Sequence, residues 1–195
     1  MASGFWKKAR ALISRPTETF HAVRDETTRP VLHYFWTLLG LFSTLSTLAH
    51  LPKIEILIEL ESFPQLAGFV MLIVLFIVLR FVAGLLIVGA IAGCAHLAIA
   101  HFGEPRSFRE TLKILIYAMT PFMLLGWVPI PYIALPLLVW TFWMGIIGIR
   151  EIQNLTQKQA AFAMIFSFSV LAVCVGLIYW FIIRAVLEAG PVLLS

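Results

Sequence analysis

The stretch LAGFVMLIVLFIVLRFVAGLLIVGAIAGCAHLAIAHF, residues 66–102, sets the fold class. Only Arg80, His96 and His101 can ionise in it, and no cluster of Pro, Asn or Asp interrupts it. About 20 apolar residues already suffice to cross roughly 30 Å of hydrocarbon as a helix, so this run belongs in a membrane. It exceeds one simple span. We read residues 80–102 as the span proper, with 66–79 extending it or lying along the outer interface.

Outward from that run, four more apolar segments have the size of spans, at about residues 31–51, 108–127, 134–149 and 160–187. The 195 residues are 61% hydrophobic and 12% charged, against about 25% charged in a soluble domain. With a mean hydropathy of +0.97, too few polar residues remain to cover a core. The expected fold class is therefore all-α, a polytopic transmembrane helix bundle of five spans. Orientation follows from the basic residues, which concentrate on cytoplasmic loops. Five spans put Lys7, Lys8, Arg10, Arg15, Arg24 and Arg29 on the inner side with Arg106, Arg109, Lys113, Arg150 and Lys158. The outer side then holds only Lys53 and Arg184, with Arg80 near that surface. Dividing the long run at Arg80 would leave eight basic residues inside and six outside, a weaker asymmetry. The N-terminus is expected in the cytoplasm and the C-terminus outside. The six basic residues among the first 29, without a long apolar region, argue against a cleavable signal peptide.

Local signals mark the ends of these segments. Pro30 suits a first helical turn, and Pro52 ends the first span before an acidic loop with Lys53, Glu55, Glu59 and Glu61. Ser107 and Glu110 have the spacing of a capping box opening the third span, as do Thr156 and Gln159 before the fifth. Pro121 removes one helical hydrogen bond and frees the carbonyl of Tyr117, which predicts a kink. The uncharged residues 127–132 turn the chain at the outer surface, where aromatic side chains anchor well. The division expected is a cytoplasmic amphipathic arm over 1–29 and a transmembrane domain over 30–190. In the arm, Phe5, Ala9, Leu12 and Ile13 share one helical face, opposite Lys7, Lys8 and Arg10, the pattern of an interfacial helix, which reads as a docking or lipid-sensing arm on the inner leaflet or as a packed juxtamembrane support. Pro16 starts a second short helix with Phe20 and Val23 as apolar contacts.

Ionisable residues in hydrocarbon are costly and mark candidate sites. His96 sits beside the pair Gly89-x-x-x-Gly93, which permits close helix approach, and reads as a ligand or proton site or as an interhelical hydrogen bond. Tyr117, Thr120 and the carbonyl freed by Pro121 form a second polar spot, since broken helices line substrate sites in transporters. Gly145 and Gly148 read as packing positions. Lys7, Lys8, Arg10, Arg106, Arg109, Lys113 and Arg150 form a basic inner face for anionic lipid or a partner. Arg80 and Arg184 are expected to reach headgroups by snorkelling. Cys94 and Cys174 read as reduced packing thiols, and Ser43, Ser46, Ser167 and Ser169 as packing hydroxyls. There is no Gly-rich phosphate loop, no His-Glu-x-x-His, no Gly-x-Ser-x-Gly and no pair of intramembrane aspartates. No catalytic residue, metal site or cofactor is therefore expected. The partners expected are membrane lipids, a second copy of the chain, and a cytosolic or membrane protein. The net charge of +4 points to orientation and lipid, not nucleic acid.

A set of short motifs runs in order along nearly the whole chain. It comprises Ser14-Arg15-Pro16-Thr17-Glu18-Thr19-Phe20, then Ser107-Phe108-Arg109-Glu110-Thr111-Leu112, then Tyr117-Ala118 with Pro121 and Trp127-Val128-Pro129. Trp140 and Gly145-Ile146-Ile147-Gly148-Ile149-Arg150-Glu151 complete it. The set resembles the Yip1-domain family of five-span membrane proteins. The resemblance implies a cytosolic N-terminus and, for eukaryotic relatives, early secretory membranes with prenylated Rab GTPases as partners. The short region before the first span is similar to that of bacterial and archaeal relatives, which implies a prokaryotic cytoplasmic membrane. The function expected is non-enzymatic organisation of membrane or protein traffic. The alternative is a small transporter or channel for lipid, ion or solute, using the polar spot of His96 and Tyr117.

Overall fold

Hydrocarbon offers no partner for a backbone N–H or C=O, so an apolar chain must satisfy its own peptide groups, and a helix does so within one segment. The computed structural model describes residues 2–50, 63–103, 106–130 and 132–193. They form α1 (Ala2–Ser14), α2 (Pro16–Ala22), α3 (Thr28–His50), α4 (Phe63–Ala100), α5 (Phe108–Ala118), α6 (Thr120–Leu125), α7 (Ala134–Gln153) and α8 (Gln157–Leu193). No strand occurs among the described residues. The loop with Lys53, Glu55, Glu59 and Glu61 lies outside them.

Among the described residues four helical stretches are long and apolar enough to cross a membrane: Thr28–His50, Ala67–Ala100, Ala134–Gln153 and Gln157–Phe181. The long run of the sequence is one unbroken helix, so residues 66–79 continue the axis of 80–100. At 1.5 Å per residue the 38 residues of α4 extend about 57 Å, well beyond a 30 Å core. Helix α8 has 37 residues and packs along α4. Both carry large exposed apolar side chains, from Val70 to Leu79 on α4 and from Val173 to Phe181 on α8, surfaces suited to lipid.

The segment expected as the third of five spans is not one helix. It is divided into α5, of 11 residues, and α6, of 6, with Met119 between them. The physical cause is Pro121 in the first turn of α6, which has no N–H to offer the carbonyl of Tyr117. The amides of Met119 and Met123 still bond to Leu115 and Met119 at 2.9 and 3.0 Å, so the chain bends without unwinding. Irregular backbone at membrane depth is tolerated where protein surrounds it. Here α3, α4 and α7 pack around α5, and Ile114, Leu115, Ile116, Tyr117 and Ala118 are all buried.

Caps and close approaches fix the remaining geometry. Thr156 and Gln159 form the expected capping box, with Thr156 N–H donating to Gln159 Oε1 at 3.0 Å and Gln159 N–H to Thr156 Oγ1 at 3.4 Å. Ser107 and Glu110 do not: the Ser107 side chain caps nothing, and the Glu110 carboxylate turns to Lys113, 3.0 Å away. Asn154 ends α7 in the left-handed region, φ 56°, where Asn is tolerated. Gly145 and Gly148 do bring helices together. A methyl group on Gly148 would lie 2.6 Å from Cγ2 of Ile114 and 2.8 Å from Cε1 of Phe20, and one on Gly145 would overlap Met164. Gly89 and Gly93, expected to serve the same purpose, have nothing within 4 Å of such a group. On α4 the close approach is at Gly84, against Leu39.

The arm does not lie flat with its apolar face in lipid. Ala9 and Leu12 of α1 and Phe20 of α2 are fully buried, α1 against α2 and α6, and α2 against α7. Each fully buried Leu or Phe contributes about 1.5–3 kcal/mol, so protein has taken the face that an interfacial helix would give to the leaflet.

Candidate functional site

Three polar clusters hold the arm and the broken helix together. The first is built on Tyr117, in the last turn of α5. Its hydroxyl donates to Glu26 Oε2 at 2.5 Å and accepts from Lys8 Nζ at 3.2 Å. Lys8 Nζ also donates to Glu26 Oε1 at 2.6 Å. The Tyr117 ring meets Tyr34 of α3 edge-on at 5.4 Å, and the Tyr34 hydroxyl pairs with Thr120 Oγ1 at 3.1 Å. Tyr117 and Thr120 are completely buried, whereas Lys8 and Glu26 are about a quarter and a fifth exposed, 26% and 20%. One ion pair and two phenols thus latch α1, the chain before α3, and the α5–α6 break.

The second cluster is built on Lys113, whose ammonium is drawn inward until only 3% is exposed. It donates to the carbonyls of Arg24 at 2.8 Å and Val23 at 3.4 Å, just beyond α2, and lies 3.0 Å from Glu110 Oε2. A cation at a helix C-terminus satisfies carbonyls that the helix leaves unpaired and opposes the negative end of its dipole. Lys113 therefore fastens α2 to α5, away from the inner-face lipid contact its sequence position had implied.

The third cluster holds His96. Its Nδ1 lies 3.1 Å from Thr111 Oγ1, and its ring meets Phe108 edge-on. Thr111 also accepts from Gln153 Nε2 at 3.1 Å, and Gln153 Oε1 accepts from the Arg106 backbone N–H at 2.9 Å. With its amide oriented to satisfy both, the Asn154 oxygen accepts from Arg24 and Arg106 at 3.2 Å each. These contacts tie the ends of α4, α5 and α7.

The structure thus brings Tyr117, Thr120 and Pro121 to one place and sets His96 in another. Thr111 and Tyr117 are six residues apart on α5, about 9 Å along the axis. Of the expected inner-face residues, Lys7, Arg10, Arg106 and Arg109 are exposed, while Lys8 and Lys113 are engaged as described and Arg150 pairs with Glu151 at 2.6 Å. Arg80 donates to Ser46 Oγ, and Arg184 stands 5.5 Å over the Trp180 ring. The sequence reading missed Glu26, Tyr34 and Gln153. Glu26 carried a faint signal as a carboxylate between a basic arm and the first span, but its partner is 91 residues away. In chemical terms the first two clusters are closed sets of donors and acceptors, suited to holding a conformation.

A family model described as the Yip1 domain matches residues 10–186, which takes in α2 and every helix long enough to span. No curated protein and no solved structure matches the chain.

Proposed function

The chain belongs to the Yip1-domain family of membrane proteins, and from that premise we propose that it organises membrane or protein traffic without enzymatic chemistry. On this reading the broken pair α5–α6 is the third of five crossings, the N-terminus is cytoplasmic, the C-terminus is outside, and the setting is a prokaryotic cytoplasmic membrane. The observation that carries it is the docked arm. Buried Leu12 and Phe20 and the two latches set α1 and α2 on the bundle, so the exposed Lys7 and Arg10 stand on a docked helix, on the same chain face expected for Arg109 of α5. A fixed basic surface loses less entropy on meeting an acidic partner or an anionic membrane than a free tail would.

The test combines photo-crosslinking from positions 7 and 106 in native membranes with native mass spectrometry of the released protein. The expected result is a reproducible complex, with a second copy or another polypeptide, that Lys7→Glu with Arg106→Glu disrupts. Absence of any complex, with solute flux into proteoliposomes that His96→Ala abolishes, would overturn the reading in favour of a small transporter or channel.

A further inference from the structure

The exposed face of α3 and the docked α1 enclose a groove of about 960 Å³. Thr37, Gly40 and Thr44 of α3, spaced at helical intervals, form its floor, and Phe5 and Trp6 of α1 stand along its side. A second hollow of about 870 Å³ adjoins it through Pro30, His33 and Trp36, which line both, and adds Arg29 and Arg109. From Pro30 to Thr44 the floor runs fourteen residues, about 21 Å. That is close to the depth of one leaflet, half of a 30 Å core plus roughly 5–7 Å of headgroup.

The chemistry changes along this length. At the Pro30 end are Arg29, Arg109 and the His33 ring, none with an ion pair or side-chain hydrogen bond among the described residues. Lys8, Arg15, Lys113 and Arg150, by contrast, each have a carboxylate partner. Among the described residues no acidic side chain lines either hollow. Lys8 also lines the groove but is paired with Glu26, and toward Thr44 the groove presents Trp36, Gly40 and Leu41, apolar or small. Two guanidinium groups without a carboxylate partner among the described residues match a phosphodiester in charge and fork geometry, and an apolar trough beyond them matches an alkyl chain.

We propose that this groove is a binding site for one anionic glycerophospholipid. Its phosphodiester sits between Arg29 and Arg109 with His33 beside it, and one acyl chain lies along Thr37, Gly40 and Thr44 under Phe5 and Trp6. The site shares Arg109 with the basic surface proposed above, but it requires only that the chain is embedded in a bilayer and does not rest on the traffic role. The occupant is a lipid because free phosphate would leave the apolar length of the groove unfilled.

The test is titration of the delipidated full-length protein in detergent with phosphatidylglycerol, phosphatidylcholine or glycerol 3-phosphate, read by native mass spectrometry. One phosphatidylglycerol per chain is expected, bound at least about tenfold more tightly than phosphatidylcholine. Replacing Arg29 and Arg109 together by Gln should remove that preference. Gly40→Leu, at a position with nothing within 4 Å of an added Cβ, should weaken both lipids while leaving thermal stability unchanged. Lys158→Gln, an exposed cation elsewhere, should change nothing. Equal retention of the two lipids, or full retention by the Arg29→Gln/Arg109→Gln variant, would overturn the headgroup assignment. Equal affinity for glycerol 3-phosphate would overturn the acyl groove, as would a protein dimer that Gly40→Leu dissociates while lipid remains bound.

Discussion

Replacing Lys113 by Met tests the fold where structure and sequence disagree most. Met keeps the length and apolar packing of the lysine stem and deletes only the ammonium. In the native protein that ammonium is 3% exposed and bonds to the carbonyls of Val23 and Arg24 beside the Glu110 carboxylate. Without it, Glu110 is left with an uncompensated charge and the end of α2 loses the donor to its carbonyls. Removing one partner of a buried pair costs about 3–5 kcal/mol, whereas a change at an exposed site stays within roughly ±0.5 kcal/mol. For a chain of this size 1 kcal/mol moves the melting temperature by about 2–4 °C, so the drop should be on the order of 6–20 °C. The assay is thermal unfolding in detergent followed by tryptophan fluorescence, with tryptic cleavage near Arg24 read in parallel. Lys158→Met, at an exposed position, serves as the comparison. Adding Glu110→Gln to Lys113→Met should restore part of the loss by removing the stranded charge. A Lys113→Met protein that melts with the Lys158→Met control would refute the buried latch and return Lys113 to the inner surface.

Two other perturbations address the neighbouring contacts. Tyr117→Phe and Glu26→Ala should each destabilise by about 1–3 kcal/mol, and the double variant by less than their sum, because both remove the same 2.5 Å bond; strict additivity in the same melting assay would show that the bond does not form. Gly148→Leu must displace Ile114 and Phe20 and should cost about 1–3 kcal/mol or more, while Gly89→Leu, with open space around it, should be neutral to stabilising; equal melting of the two variants would contradict the helix approach at Gly148.

What the sequence disclosed was what depends on short separations. Thr156 and Gln159 cap each other across three residues; Pro121 breaks the segment it sits in. Each rests on a backbone rule that operates within one turn. Small-residue spacing was legible only as an option, since Gly145-x-x-Gly148 and Gly89-x-x-x-Gly93 read alike and only the first pair meets a neighbour. The Ser107 box failed because Lys113, one turn further along α5, competes for the Glu110 carboxylate with a full charge. The candidate site was half legible. Tyr117 and Thr120 were found from the Pro121 kink, but their partners Glu26 and Tyr34 lie 91 and 86 residues away, and no periodicity within a helix encodes such a pairing. The reading of residues 66–102 left open whether 66–79 extend the span or lie along the interface, and the unbroken helix takes the first course; an apolar run shows where a membrane helix lies and not how far it projects.

Lys8 connects the docked arm to the groove. Its ammonium belongs to the latch with Glu26 and Tyr117, and it also lines the groove between α1 and α3. The side of the groove formed by Phe5 and Trp6 exists only while α1 is docked. A lipid seated there touches both helices, so binding favours the docked arm, and by linkage docking favours binding to the same extent. An exposed tail would gain nothing from such an occupant. In this chain the exposed cations Lys7 and Arg10 ride on α1 itself, so the position of the basic surface is set by the same contacts that shape the groove. A buried ion pair is a weak source of net stability, but it specifies one arrangement strongly, since the alternatives strand a charge. The Lys8–Glu26–Tyr117 cluster therefore matters less for how tightly the arm is held than for fixing the one register in which groove and basic face are both complete.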